Sequence, residues 1–564
     1  MTIAGSIGIL AVIAIILALG IPLGGYIYRV FSGKKSVFDK VCAPVEGLLF
    51  RIVGVDPSVQ MDWKSYLRAL MLVNFTMMLF VYGILRLQGF LPLNPDHIQG
   101  MSWDLAFNTA ASFITNTNWQ NYAGEQSLSY LSQMSAISYL QFTSAATGFV
   151  AAIAFPRGLV AHRSAMIGNF WVDLIRIHTR LLIPLAIVFA VVLIGLGVPQ
   201  TLQGAQVVHT LQGQIQTIAR GPVASLEAIK QLGTNGGGYF NANSAHPFED
   251  PSAWTTVLEM VAMGVISCAL VWTFGRFIGN RKQAVVLYVC LTGVMVLGAF
   301  IIYAGESAGN PLLQHALGIK GANMEGKEVR FGTGLSSAFA ALTTAFTTGA
   351  VNAMHDSFMP ISGLVPLVFM MFNLIFGGKG VGLLNILMFL MITVFLSGLM
   401  VGRTPEIFGK KIEAREIKLA TVAMLVHPFI ILVPTAIALA TKAGTSMILN
   451  PGLHGVSEVL YAYTSGAANN GSAFAGLSGN NVFFNVTEGL VMLFGRYVSL
   501  IAMFAIAGSL ATKAVIPPSA GTLRTDTFSF GGVFVAVFVI VGALTFFPAL
   551  AIGPIGEQLQ MWLS

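Results

Sequence analysis

An all-α polytopic membrane protein is the fold class this 564-residue sequence predicts. Ten transmembrane helices are expected, arranged as four parallel helix–pore loop–helix repeats with one extra helix at each end. Three observations carry that expectation. Hydrophobic residues make up 55% of the chain and charged residues 9%, whereas a soluble domain is about a quarter charged. Apolar runs of about 20 residues, enough to cross a bilayer as helix, recur from end to end. Between them lie four shorter apolar stretches, each followed by a cluster of Thr, Asn and Gly.

The spanning segments fall at 4–29, 65–88, 131–155, 181–198, 253–275, 284–303, 358–401, 419–441, 484–511 and 529–550. The first is too long for a signal-peptide core and has no basic residue before it, so it reads as a retained helix. The segments group into an extra helix over 1–30, pore repeats over 65–155, 181–275, 284–401 and 419–511, and a last extra helix over 529–550.

The net charge is +7 and the pI about 9.2. The distribution of the bases explains it. Loops after the first, third, fifth, seventh and ninth segments hold nineteen lysines and arginines, and the alternate loops hold six. Lysine and arginine accumulate on the cytoplasmic side of membrane proteins, which puts the first set inside and both termini outside. Bases interleaved with aromatics for nucleic-acid binding are absent. Cys42, Cys268 and Cys290 form no CxxC pair, so neither a disulfide framework nor a zinc site is expected.

The four short stretches are 104–114, 223–233, 334–346 and 457–467. They are too short to span and fit re-entrant pore helices, which bilayers tolerate only inside protein or beside a water-filled cavity. The clusters after them are Thr115-Asn116-Thr117-Asn118, Gly233-Thr234-Asn235-Gly236-Gly237-Gly238, Thr347-Thr348-Gly349-Ala350 and Asn469-Asn470-Gly471-Ser472. Anchors at Asn118, Gly236, Gly349 and Gly471 are spaced by 118, 113 and 122 residues. All four loops enter from one side, so the repeats are parallel. A dehydrated monovalent cation needs oxygens in place of its water shell, and rings of backbone carbonyls from four loops supply them. Glycine turns carbonyls inward by adopting positive φ, and Thr and Asn add neutral oxygens. The negative end of each pore helix dipole favours a cation. No carboxylate stands in the clusters, which suits a monovalent ion better than a hard divalent one.

The seventh segment, at about 1.5 Å per residue, is far too long for a single crossing. It is interrupted by Gly377-Gly378-Lys379-Gly380-Val381-Gly382. Two readings stand side by side here. Lys379 lies beside the ion path beneath the loops as a gate or barrier, or it reaches cytoplasmic water from a plain connection. Gly321 to Lys327 nearly spells a phosphate-binding loop, but Glu328 occupies the position that must be Ser or Thr. His355-Asp356 reads as a solvated vestibule pair. No HExxH, nucleophile constellation or Asp-Lys-Thr-Gly is present, so no catalytic site is expected in this chain.

The strings TNTNWQ at 115–120, GTNGGGYFNANSAHPFE at 233–249, TTGAVN at 347–352, NNGSAFAGL at 469–477 and VGRTPE at 401–406 resemble the A chain of the Kdp potassium-transporting ATPase, over essentially the whole length. That family is akin to the potassium channel superfamily that includes the Trk, Ktr and HKT transporters. The resemblance implies a subunit that selects K+ from outside and passes it to a separate P-type ATPase B chain. It implies a single-span C chain and a small F peptide as further partners, in a bacterial inner membrane, and no nucleotide bound by this chain. Carried over by motif, the K+ filter residues are Asn116, Thr117, Asn118, Thr234, Asn235, Gly236, Thr348, Gly349, Asn469, Asn470 and Gly471. Gln120 stands at the filter mouth. Gly377, Gly378, Lys379, Gly380 and Arg403 are gating or tunnel candidates, with Arg403 equally readable as a positive-inside anchor. No loop spells the TVGYG of tetrameric channels, so fewer ordered ion sites are expected. The alternative is a Trk-like K+ transporter working without a P-type partner.

Overall fold

A computed structural model describes residues 1–517 and 523–563 of the chain. Among the described residues, ten helices are long and apolar enough to cross a membrane, and each overlaps one of the ten expected segments. Several begin at a side-chain cap that satisfies a free backbone N–H of the first turn. Thr2 accepts from the Gly5 N–H, Asp62 from Ser65, Asn280 from Gln283 and Asn481 from Phe484. Ser252 and Thr255 form a reciprocal capping box.

Each of the four units has an outer and an inner spanning helix. Within the most apolar stretch of the first helices, Trp63–Phe90, Phe170–Gly195, Arg281–Leu317 and Ala414–Ala440, 33, 28, 44 and 28% of residues are buried. In the second helices, Tyr130–Val160, Ala253–Phe277, Val381–Met400 and Val482–Thr512, the shares are 78, 72, 72 and 56%. The first helices therefore offer apolar surface to lipid, and the second pack around the centre. Pore helices Trp103–Ile114, Val223–Leu232, Gly332–Ala345 and Leu453–Ala468 stand between them.

The extra helix Ile3–Phe31 lies along Ala253–Phe277, and small residues permit the close approach. A Cβ on Gly20 would meet the Cys268 Cβ at 2.9 Å, and one on Gly24 would meet the Ala269 carbonyl oxygen at 2.5 Å. Gly-x-x-x-Gly spacing brings helices together in this way in lipid, where hydrophobic driving force between helices is absent.

The structure corrects several expectations. The fourth span begins at Phe170, well before 181, because an amphipathic turn carrying Arg176 and Arg180 continues the helix past the apolar run. Between the first two spans lies an unanticipated helix, Asp39–Val53, whose Val41, Val45, Leu48 and Ile52 are exposed along one face. A hairpin, Gln206–His209 with Ile215–Ile218, precedes the second pore helix. The seventh segment breaks over 373–380, four residues before the first glycine, because Asn373 adopts the left-handed conformation and ends Pro360–Phe372. Val381 and Gly382 already belong to the next helix, Val381–Met400.

Candidate functional site

Four loops follow the C-terminal ends of the four pore helices and meet. A Cβ on Gly236 would lie 3.0 Å from the Gly349 Cα and 3.2 Å from the Asn470 carbonyl oxygen. One on Gly349 would overlap the Asn470 carbonyl, and one on Gly471 the Thr117 carbonyl. At Gly349 and Gly471 glycine is required for lack of space as well as for conformation, and at Gly236 a Cβ would crowd its neighbours.

Backbone geometry repeats with the sequence. Asn116, Thr234, Thr347 and Asn469 all take positive φ, at 64°, 49°, 46° and 53°. Their spacings are 118, 113 and 122 residues, the same as those of the anchors two positions later. Asparagine tolerates this region, but for β-branched Thr234 and Thr347 it is a strained state that only a surrounding structure can impose. At the anchors, Asn118, Gly349 and Gly471 are also left-handed, at 62°, 87° and 101°, and Gly236 is not among the positive-φ residues.

Side-chain amides stitch the loops into a ring. Asn116 donates to the Thr234 carbonyl at 2.9 Å and Asn118 to the Asn235 side chain at 2.6 Å. Asn469 donates to the Thr117 hydroxyl and Asn470 to the Thr343 carbonyl, both at 2.9 Å. Gln120 binds both backbone groups of Gly238, at 3.0 and 3.1 Å, and so holds the second loop from the first. Two buried oxygens of the loops, Asn118 Oδ1 and Thr348 Oγ1, have no hydrogen-bond partner among the described residues. Above the ring opens a cavity of about 650 Å³ lined by Asn118, Gln120, Gly236, Gly349 and Gly471.

Beneath the ring lies the break in the seventh segment. The Gly377 N–H donates to the Ala345 carbonyl at the end of the third pore helix, at 3.0 Å. The Lys379 N–H donates to the Thr234 hydroxyl at 3.1 Å. Gly377 and Gly380 have φ of 66° and 87°. The Lys379 side chain is 1% exposed and its Nζ has no hydrogen-bond partner among the described residues. It is enclosed by protein and does not reach water on the base-rich face. Arg403 is not brought to this place. It is exposed beyond the other end of Val381–Met400, a helix about 30 Å long at the ordinary rise per residue.

Sequence reasoning missed two groups of residues here. Arg496, 3% exposed, donates to the Ser144 carbonyl at 3.2 Å, beside Gly148 and the Lys379 carbonyl. Behind the second loop, Lys230 is fully buried, 2.6 Å from Glu227 and 2.7 Å from Glu249. Its Nζ also donates to Asn243 at 2.9 Å. A lysine three residues after a glutamate in a pore helix on the base-poor side was the available signal.

The expected solvated pair His355-Asp356 is buried, with its members turned apart. His355 Nδ1 lies 2.8 Å from the Tyr461 hydroxyl, and burial and Lys327 push the imidazole down to about 3. Asp356 pairs with His454 at 2.8 Å, and the other His454 nitrogen pairs with Glu557 at 2.8 Å. Asp356, His454 and Glu458 lie close enough to hold a metal, but both imidazole nitrogens are already engaged, so His454 with Asp356 and Glu557 forms an ion-pair clamp. Lys327, from the near phosphate-binding motif, is taken up by Glu306 at 2.7 Å.

A family model described as "Potassium-transporting ATPase A subunit" matches residues 10–559. The chain is 68% identical over 561 residues to a potassium-transporting ATPase potassium-binding subunit of Alicyclobacillus acidocaldarius, covering 100% of both chains. It is 52% identical to the protein of that name from Caldanaerobacter subterraneus, covering 99% of both. Among solved structures, the potassium transporter TrkH of Vibrio parahaemolyticus matches with a TM-score of 0.51 at 14% identity, over 89% of this chain and 98% of that one. That likeness is one of fold.

Proposed function

The chain belongs to the family of potassium-transporting ATPase A subunits, the potassium-binding subunits of an ATP-driven K+ uptake system, and from that premise we propose that its four pore loops form the K+ filter. The observation that carries this reading is the left-handed residue recurring in all four loops at the repeat spacing, where the loops meet. Asn116, Thr117, Asn118, Thr234, Asn235, Gly236, Thr348, Gly349, Asn469, Asn470 and Gly471 surround the ion, with Gln120 fixing the mouth. The cavity above gathers hydrated K+, and neutral oxygens with pore helix ends replace its water.

Below the filter, Lys379 and the glycines around it form the electrostatic barrier that stops K+ from running straight through. Ions leave sideways to a separate P-type ATPase chain, which binds the nucleotide and does the catalysis. A single-span C chain and a small F peptide complete the complex in the inner membrane, with both termini of this chain outside. Arg403, on the base-rich surface, serves as an anchor or partner contact.

The test is K+-stimulated ATP hydrolysis by the complex purified through this chain, comparing wild type with Gly349→Ala. The added methyl overlaps the Asn470 carbonyl, so K+ stimulation is expected to fall by about tenfold or more, as for a filter ring that cannot close. Unchanged K+ dependence removes the loops from the pathway. If no ATPase co-purifies and the chain alone carries K+ into liposomes, the Trk-like reading takes its place.

A further inference from the structure

Three of the four anchors, Asn118, Gly349 and Gly471, are left-handed, and Gly236 is not. Gly236 differs in a second respect: its carbonyl oxygen accepts a hydrogen bond from the Asn243 side-chain amide. Asn243 is 7% exposed and itself left-handed, at φ 54°. The orientation of its amide is settled by its neighbours. The Lys230 ammonium donates to Asn243 Oδ1 at 2.9 Å, the Ser244 N–H at 2.9 Å and the Val351 N–H of the third loop at 3.4 Å. An ammonium only donates, so the Asn243 oxygen must face Lys230 and its NH2 must face Gly236.

The lysine cannot turn away. Glu227 holds it at 2.6 Å, Glu249 at 2.7 Å and Ser244 at 3.2 Å, all without solvent exposure. Glu249 in turn accepts from the Phe240 N–H at 2.7 Å. A buried charge and its partners thus fix one side-chain amide, and that amide occupies one carbonyl of the loop ring.

We infer that Asn243 is a specificity-determining positioning residue, which keeps the Gly236 carbonyl engaged with protein so that the four loops present unequal ligands to the ion. This rests on the reading of the loops as the K+ filter. The number and field strength of carbonyl ligands govern the choice among alkali cations. A carbonyl already bonded to an amide offers less negative potential to an ion than a free one. Releasing it alters the ring for K+ and for the larger Rb+ to different extents.

The experiment measures half-saturating K+ and Rb+ concentrations for ATP hydrolysis by the whole complex, in wild type, Asn243→Asp and Asn243→Ala. The aspartate keeps an acceptor for Lys230 and has no amide to give Gly236. The ratio of the two half-saturating concentrations is expected to shift by about three- to tenfold in both variants, the scale of one hydrogen bond, with tighter K+ binding. A residue that only supports the fold would lower yield and rate and leave the ratio alone. A wild-type ratio in either assembled variant overturns the inference. Failure of both to assemble overturns it as well, since Asn243 is then a requirement of folding. If wild type itself shows no K+ dependence, the filter reading has failed, and this inference falls with it.

Discussion

His454 is held by two carboxylates from distant parts of the chain, Asp356 just past the third loop and Glu557 near the C-terminal end. Burial opposes its charge, but the hydrogen bonds to Asp356 and Glu557 prevail and push it up to about 10. The sign of the pH effect follows. With a folded pKa above the unfolded value of about 6.5, the clamp contributes fully below about pH 6.5 and is lost as pH rises toward about 10. Thermal unfolding of the purified chain in detergent should therefore move to lower temperature between pH 7 and pH 10, as an order-of-magnitude window. In His454→Gln the decline across that window should be shallower, with stability at pH 7 lower by about 1 to 3 kcal/mol, the worth of charge-assisted hydrogen bonds. Parallel pH profiles in the two proteins would remove His454 from this role. Sequence alone did not reveal the clamp, because its three members are far apart in the chain and only folding brings them together.

At the scale of elements, sequence patterning was most informative where one physical requirement dominates. Lipid demands long apolar helices, and all ten overlap the expected segments. A crowded meeting of four loops demands Gly, Asn and Thr, and the anchors stand there. It was least informative where pattern mixes with context. The helix Asp39–Val53 is amphipathic and flanked by bases, a pattern that hydropathy does not separate from a loop. The glycines mark the break in the seventh segment in the sequence, whereas Asn373 starts it in the structure. Within that break Gly380 is irreplaceable on two counts, a φ of 87° and a Cβ that would overlap the Gly148 carbonyl. Gly402 has a φ of 67° with open space around it. Gly402→Ala should cost only about 1 to 2 kcal/mol of backbone strain. Gly380→Ala should cost more than that and should also disturb K+-dependent hydrolysis, because it displaces Lys379 from beneath Thr234. Equal thermal shifts in the two variants would show that the break is looser than its contacts imply.

Across the whole molecule, four similar units build a pathway whose two ends are electrically unlike. The base-rich face carries nineteen lysines and arginines in its loops, against six on the face where the pore loops enter. Lys410 shows that some of these bases also serve the fold. It is fully buried and donates to the carbonyls of Ala161, Leu510 and Lys513, at the ends of two inner helices. A cation there is favoured by both helix dipoles, so the hairpin Glu406–Lys411 is fastened under the second helices of the first and fourth units. The bias that remains after such residues are set aside is what the proposed orientation rests on. Single cysteines in a variant lacking Cys42, Cys268 and Cys290 would test that orientation with a membrane-impermeant maleimide on intact cells. Leu211, fully exposed at the tip of the hairpin beside the pore-loop face, should be labelled in Leu211→Cys without lysis. Arg403→Cys, on the opposite face, should be labelled only after lysis, and less so in the assembled complex if that face meets a partner. Labelling of Arg403→Cys in intact cells would invert the topology, place the filter entrance inside, and turn an uptake pathway into one for export.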